Sequence, residues 1–469
     1  MKNVIYIIIV IISLTACSED LSEFRNQIEL LKSNNAKEQQ RIEEEKKRQK
    51  EKEKEAEDLK ELLDSLKNTK NDTTKIPINQ DIEININLPV VEITTDRRQE
   101  ISSNKDYINA YFVLKEISTN GDTINSVEEN LQIKGRGMTT WFDFPKKPYR
   151  LKFAKKISLF GLHEDKSWVL LANYADKSML RNKLAFILGK MSNLDWTPSS
   201  FFVEVILNGE YIGTYQLCEK LKVSSHRVNV GNDGFLLEID QRAPILGEVN
   251  FKIGHIENPI KFRDPDVSYN DDNYIYAHNF IAKVDEVLFS DNYSDPQEGW
   301  QKYMDMDSFV DWYIINELAK NNDAVFYSSC YMNFKRDGKL KMGPIWDFDL
   351  AFGNINYNDS YQTSGFRIKK VAWYSRLFND PAFVKRLKER FQYFYNHRDD
   401  IMKSINNEAA ALREASQNNE DRWHTFYNYT WPNYDIWGNY CNEVQYMKEW
   451  LSDRFNWMKS ELDNMNIYQ

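Results

Sequence analysis

Apolar positions along this chain follow three patterns in turn. An uninterrupted apolar run occupies residues 4–12. Over residues 37–61 apolar side chains almost vanish, with nine basic and ten acidic residues interrupted only by Ile42, Ala56 and Leu59. Pairs such as Glu43–Lys47 and Glu44–Arg48 have the favourable i,i+4 order, which predicts a solvated helix over 21–69 with no core-facing stripe. Leu59, Leu62, Leu63 and Leu66 add one or two apolar turns at its end, too few for a sustained coiled-coil seam. Pro77, within 71–80, breaks the helix off. From Asp81 the pattern changes to a period of two: Ile82, Ile84, Ile86 and Leu88, then Val91 and Ile93, the signature of a half-buried strand.

The same alternation predicts strands at 110–117, 131–134, 149–153, 201–207, 211–218 and 235–239, with Asn208-Gly209 as a hairpin turn. One helix, 177–191, interrupts them, with Asp176 as its N-cap. After Tyr274 the period becomes helical, over 274–289, 307–320, 372–394, 398–416 and 440–465. The fold class is therefore α+β, a mixed sheet followed by a mainly helical lobe. The organisation reads as a leader (1–17), a charged helical stalk (18–70), a linker (71–81) and one large domain (82–469). Composition agrees with this division. Of 469 residues, 26 are Phe, 26 Tyr and 12 Trp, yet only Tyr6 and Phe24 precede Tyr107, and the first glycine is Gly121. A stretch so poor in aromatics cannot bury a core of its own.

The apolar run 4–12 follows Met1-Lys2 and precedes Leu14-Thr15-Ala16-Cys17. It is too short to span a bilayer, which takes about 20 residues, and has the length of a signal-peptide core. A small residue directly before a cysteine resembles a bacterial lipobox. That resemblance implies lipidation of Cys17 and a membrane anchor, in the outer membrane or at the cell surface. Ser18-Glu19-Asp20 resembles the acidic tag that some Bacteroidetes lipoproteins carry. At about 1.5 Å per residue, the helix would hold the body roughly 70 Å from the membrane. A single solvated helix fits its pattern better than a coiled coil, although the stalk is also the segment through which copies would self-associate.

Net charge is −10, which argues against a nucleic-acid binder, since phosphate backbones need a basic face. The six histidines form no His-x-x-x-His pair and the four cysteines no Cys-x-x-Cys, so the common zinc-enzyme patterns are missing. Cys218 and Cys330 sit in strand-like surroundings, as small core residues do.

Five segments concentrate glycine, charge and asparagine beyond what core packing needs. Lys134-Gly135-Arg136-Gly137 opens a glycine turn that would let backbone N–H groups approach an anion, and the next strand carries Arg150 and Lys152 on one face. Asn173-Tyr174-Ala175-Asp176 leads to Arg181 and Asn182, which capping does not explain. Asn208-Gly209-Glu210-Tyr211 runs to Glu219, a carboxylate on an otherwise apolar strand face that needs a partner. Glu238 and Asp240 share a strand face, a pattern more often solvated than functional. Finally Asn321-Asn322-Asp323 precedes Trp346-Asp347-Phe348-Asp349. An Asp-x-Asp among Trp, Phe and Leu is costly to bury unless a cation or donors meet it, and with Asp323 it would suit Mg²⁺.

Together these motifs, with Met447-Lys448-Glu449-Trp450-Leu451, Arg454 and Trp457 near the end, resemble the spore-coat protein CotH family of atypical secreted kinases, over about 82–465. The resemblance implies a kinase-like fold, ATP with Mg²⁺ or Mn²⁺ as cofactors, and γ-phosphate transfer to protein hydroxyls. It assigns Gly135, Arg136 and Gly137 to the phosphate turn and Lys152 to the α/β-phosphates, with Arg150 as the alternative. Asp323 would orient the acceptor hydroxyl, and Asp347, with Asp349, would hold the metal. Glu219 would lie toward the adenine pocket or pair Lys152. One position departs from the pattern: where active members carry an asparagine as second metal ligand, five residues past the Asp, this chain has Ser328, and the next asparagine is Asn333. That leaves a second reading, a non-catalytic lipoprotein of the same fold that binds a protein or glycan.

Overall fold

The computed structural model describes residues 88–117 and 123–465. Cys17, the charged stalk, the linker and the first residues of the alternating run lie outside the described residues.

Seven strands close into a barrel: β1 (Val90–Thr95), β2 (Ile108–Ile117), β3 (Thr123–Gly135), β4 (Tyr149–Ile157), β5 (Asp165–Leu171), β6 (Ser200–Leu207) and β7 (Glu210–Glu219). Their order is β1-β2-β3-β4-β5-β7-β6, and a parallel β1–β6 pair shuts the ring. Period-two alternation fills the interior with Ile93, Phe112, Ile133, Leu151, Trp168, Val203 and Leu217, all buried. Asn208 and Gly209 have φ of 55° and 88°, the left-handed pair that a tight β6–β7 hairpin requires. β3 is much longer than its apolar half, 131–134, predicts. Its first half pairs with β2 and is mostly polar and exposed, with only Ile124 and Val127 apolar, on opposite faces, so no hydrophobic period marks it.

The strand region is thus not one mixed sheet. A second, five-stranded sheet has the order β12-β11-β8-β10-β9, built from β8 (Phe235–Ile239), β9 (Asn250–Ile253), β10 (Ile256–Asp264), β11 (Cys330–Phe334) and β12 (Lys341–Met342). It belongs to the same hydrophobic core as the helices.

The helices are α1 (Thr139–Phe142), α2 (Arg181–Lys190), α3 (Asp272–Leu288), α4 (Met306–Ala319), α5 (Ala372–Leu377), α6 (Pro381–Asn396), α7 (Arg398–Ala411), α8 (Arg413–Trp423) and α9 (Tyr440–Asn464). α4 is buried nearly all round, the mark of a central helix, and α6 and α9 pack against it. The single helix expected over 372–394 divides because Asp380 caps a new start at Ala382 N–H, with Pro381 in the first turn. The expected helix 398–416 also divides, at Leu412, and α8 continues to Trp423. Asp176 does not cap a helix at 177. Its carboxylate takes the Ser178 and Arg181 N–H groups, and α2 begins only at Arg181.

Candidate functional site

A cavity of about 430 Å³ lies between the β3–β4 turn of the barrel, the end of β8 and the 346–349 turn. In a chain of net charge −10, its lining carries eight Lys and Arg side chains against five carboxylates. Three of the five are paired within the protein, by Lys261, Arg242 and Arg263. The Lys261 ammonium on β10 stands 2.8 Å from Asp240 Oδ2, 2.8 Å from Glu248 Oε2 and 3.4 Å from Glu238 Oε2. Glu238 and Asp240 are therefore buried and paired, not solvated as their spacing implies, because β8 lies in the middle of the second sheet.

Arg136, Arg150, Lys220 and Arg263 lie near one another in this lining. Arg150 is partly buried, and its Nε is buried with no hydrogen-bond partner. Burial pushes the Lys220 ammonium down to about 7, aided by the nearby Arg150 and Arg263 charges. Arg136 lies over the Trp346 ring, 5.6 Å from its centre. The glycine turn works differently from the expectation. Gly135 N–H donates to Ser103 O at 2.9 Å and Arg136 N–H to Pro148 O at 3.1 Å, so neither is free for an anion. Gly135 is needed because the Trp141 ring packs where a Cβ would stand, 2.3 Å away. Beyond Gly135, residues 136–140 line the cavity.

The opposite wall is acidic. Asp347 is exposed, with a left-handed φ of 71°, and accepts a 3.1 Å hydrogen bond from Ser329 Oγ, itself at φ 54°. Two adjoining non-glycine residues in this region are a local strain of the kind stored at functional sites. Burial, then the charges of Asp347, Asp176 and Asp323, push the Asp349 carboxyl well above the usual carboxylate range. Asp323, on a short turn after α4, is not among the residues that line the cavity, and its carboxyl is pushed up to about 7 by burial and by Asp347, with Arg242 pulling the other way.

Arg181 and Asn182 hold this wall in place. Asn182 Oδ1 accepts Phe348 N–H at 2.8 Å, and Arg181 Nε donates to Ala351 O at 3.1 Å while pairing with buried Asp176 at 2.6 Å. The duty that sequence alone leaves unexplained is thus to clamp the turn that carries Asp347 and Asp349.

The cavity brings together Gly135, Arg136, Gly137, Arg150, Asp347 and Asp349. Lys152 is exposed on β4 and lines a separate shallow depression with Asp96 and Lys166. Glu219 is buried elsewhere: it accepts Ser199 N–H at 2.9 Å and faces Arg227 Nε at 3.5 Å, so its partner is Arg227 and not Lys152. Asn333 is used structurally, donating to Gly343 O at 3.0 Å, and Ser328 Oγ accepts from Arg242 at 3.0 Å. Sequence reading missed Lys220, Arg242, Lys261 and Arg263. The matching pattern of acids at 238 and 240 with bases at 261 and 263 on two alternating strands is the signal for two of them.

Among the described residues, no group of three or more His, Cys, Asp or Glu is arranged to hold a metal ion by itself. The donor set fits a cation that arrives with phosphates, because Mg²⁺ needs only one or two carboxylates when phosphate and water supply the rest. The profile of the family described as CotH kinase protein matches residues 131–458, from the core-facing half of β3 into α9. Among curated proteins, none matches.

Proposed function

The chain belongs to the CotH kinase protein family, and on that premise we propose that it is a membrane-anchored, extracytoplasmic kinase that moves the γ-phosphate of ATP to hydroxyl groups of a protein. The observation that carries this reading is the charge left uncompensated in one cavity. Cations that depress one another and a buried, unpartnered Arg150 Nε face carboxylates that raise one another. A polyanion with a divalent cation relieves both walls at once.

Bound Mg²⁺–ATP or Mn²⁺–ATP supplies the transferable phosphoryl group and neutralises its charge. On the protein's side, Arg136, Arg150 and Lys220 orient the phosphates and Asp347 with Asp349 holds the metal. Asp323 takes the acceptor hydroxyl's proton. A carboxyl near 7 suits that task at neutral pH. Lipidated Cys17 and the stalk at 18–70 would tether the domain and bring it to its substrates.

A second reading, a non-catalytic surface lipoprotein of this fold, is favoured by one surface. Tyr427, Tyr429, Trp431 and Tyr434 are exposed on one loop, and Tyr357 stacks on Trp431 as Tyr361 does on Tyr434. Such rings, interspersed with Asn356 and Asn428, suit a glycan or a polar protein segment. Thermal unfolding of the full chain with ATP and Mn²⁺, beside Asp347→Ala, separates the two. Kinase chemistry requires a metal-dependent stabilisation that the variant loses, and no shift across a wide ATP range would leave the binding reading.

A further inference from the structure

Arg242 lines the cavity, and three hydrogen bonds fix it. Its backbone N–H and its Nε both lie 3.1 Å from Asp240 Oδ1, and its terminal nitrogen donates to Ser328 Oγ at 3.0 Å. Asp240 is in turn held by Lys261 at 2.8 Å. The turn that carries Arg242 is tied to the Asp323 segment through Gln241 N–H to Tyr327 O at 3.0 Å, and the Gln241 and Tyr327 side chains bond to each other as well. Beyond Asp240, the carboxylates acting on the guanidinium are Asp347 and Asp323. A fixed positive charge therefore stands among the candidate base, the candidate metal carboxylate and Ser328, the residue at the place of the amide second ligand.

We propose that the Arg242 guanidinium is a built-in cation in the position of a second metal ion, so that the site takes one divalent ion, on Asp347 and Asp349. This rests on the kinase reading above and deepens it. The physical argument is charge. A guanidinium cannot be deprotonated at working pH, and its repulsion of a second dication at close range is strong in a partly buried site. The chemistry at Ser328 points the same way. A hydroxyl whose oxygen already accepts from Arg242 has less to offer a metal than an amide carbonyl. The charge that a second ion would bring to the γ-phosphate comes from a side chain that needs no metal concentration to be present.

Equilibrium dialysis of the full chain against Mn²⁺ and a slowly hydrolysed ATP analogue tests this by counting ions and nucleotide retained per chain. One Mn²⁺ per nucleotide is expected for the native protein and for Arg242→Lys, which keeps the charge. Two are expected for Arg242→Ala combined with Ser328→Asn, which removes the charge and restores an amide ligand. A native ratio of two overturns the proposal, whether or not the double variant folds. So does a double variant that binds nucleotide with a ratio still at one. Failure of the native chain to retain any nucleotide overturns the kinase reading itself, and this inference with it.

Discussion

Glu317 and Asp349 are carboxylates that the same body withdraws from water by opposite means. Glu317, at the end of α4, is fully buried and fully answered. Arg454 donates to it at 2.8 Å, Arg367 N–H at 2.6 Å and Ile368 N–H at 2.8 Å, while Arg454 also bonds the Thr363 and Gly365 carbonyls at 2.8 Å each. This group staples α9 to α4 and to the loop before α5. Asp349 opens onto the cavity, and the charges that move it most are other carboxylates, Asp347, Asp176 and Asp323. Where a buried charge is compensated from within, removing it breaks architecture. Where the protein leaves like charges together, removing one relieves repulsion and costs only what a ligand would have gained.

The largest expected effect lies on the compensated side. Glu317→Ala strands the Arg454 guanidinium in the core, and urea unfolding should show a loss of about 3–5 kcal/mol. Asp349→Asn should leave the ligand-free protein as stable as before or more so. What it should erase is the metal-dependent stabilisation by ATP, roughly 2.7 kcal/mol at about 100 times Kd. A destabilisation by Asp349→Asn equal to that of Glu317→Ala would break the comparison and return Asp349 to the architecture.

How much of this contrast the sequence discloses depends on how local each feature is. The Asn208-Gly209 hairpin and the Asp347-Phe348-Asp349 turn are legible because adjacent residues carry them. The Glu317–Arg454 pair spans 137 positions, and the β8–β10 pairing that puts Lys261 on Glu238 and Asp240 joins strands with a loop and β9 between them in sequence. Burial of Glu238 and Asp240 follows from β8 lying in mid-sheet, which alternation alone does not reveal. The closed barrel is hidden for a similar reason: its closure rests on the β1–β6 pair, more than a hundred residues apart.

The cationic wall sharpens the comparison from the other sign. Arg150→Ala removes a donor whose Nε has no partner within the protein. The fold should therefore tolerate the change, while ATP affinity, read by calorimetry, falls roughly ten- to a hundredfold, as for a hydrogen bond to a charged group. Lys220 adds a pH signature. Its ammonium is held down to about 7 in the free protein, and a bound triphosphate raises it again. Below 7 the group is charged with or without ligand, so its own contribution to affinity is flat. As pH rises above 7 the free protein has lost that proton and must regain it on binding, so this contribution falls by up to about tenfold per unit. Lys220→Met should remove that fall, read with ATP alone so that ionisation of the metal carboxylates does not enter.

The smallest effect expected is also the one that decides between two readings of one strand. Arg150 and Lys152 share a face of β4 by the period of two, and sequence alone has no means to choose between them. The barrel does distinguish their surroundings. At position 150 the face looks into the cavity, and one pleat further on, opposite Gln132 and Ser167, Lys152 is exposed beside a separate depression. An exposed lysine there contributes only screened, long-range attraction to a phosphate. Lys152→Ala should change ATP affinity less than about twofold, an effect that itself fades with added salt. A loss as large as that of Arg150→Ala would mean that Lys152 reaches the phosphates after all, and the wall would have to be redrawn around it.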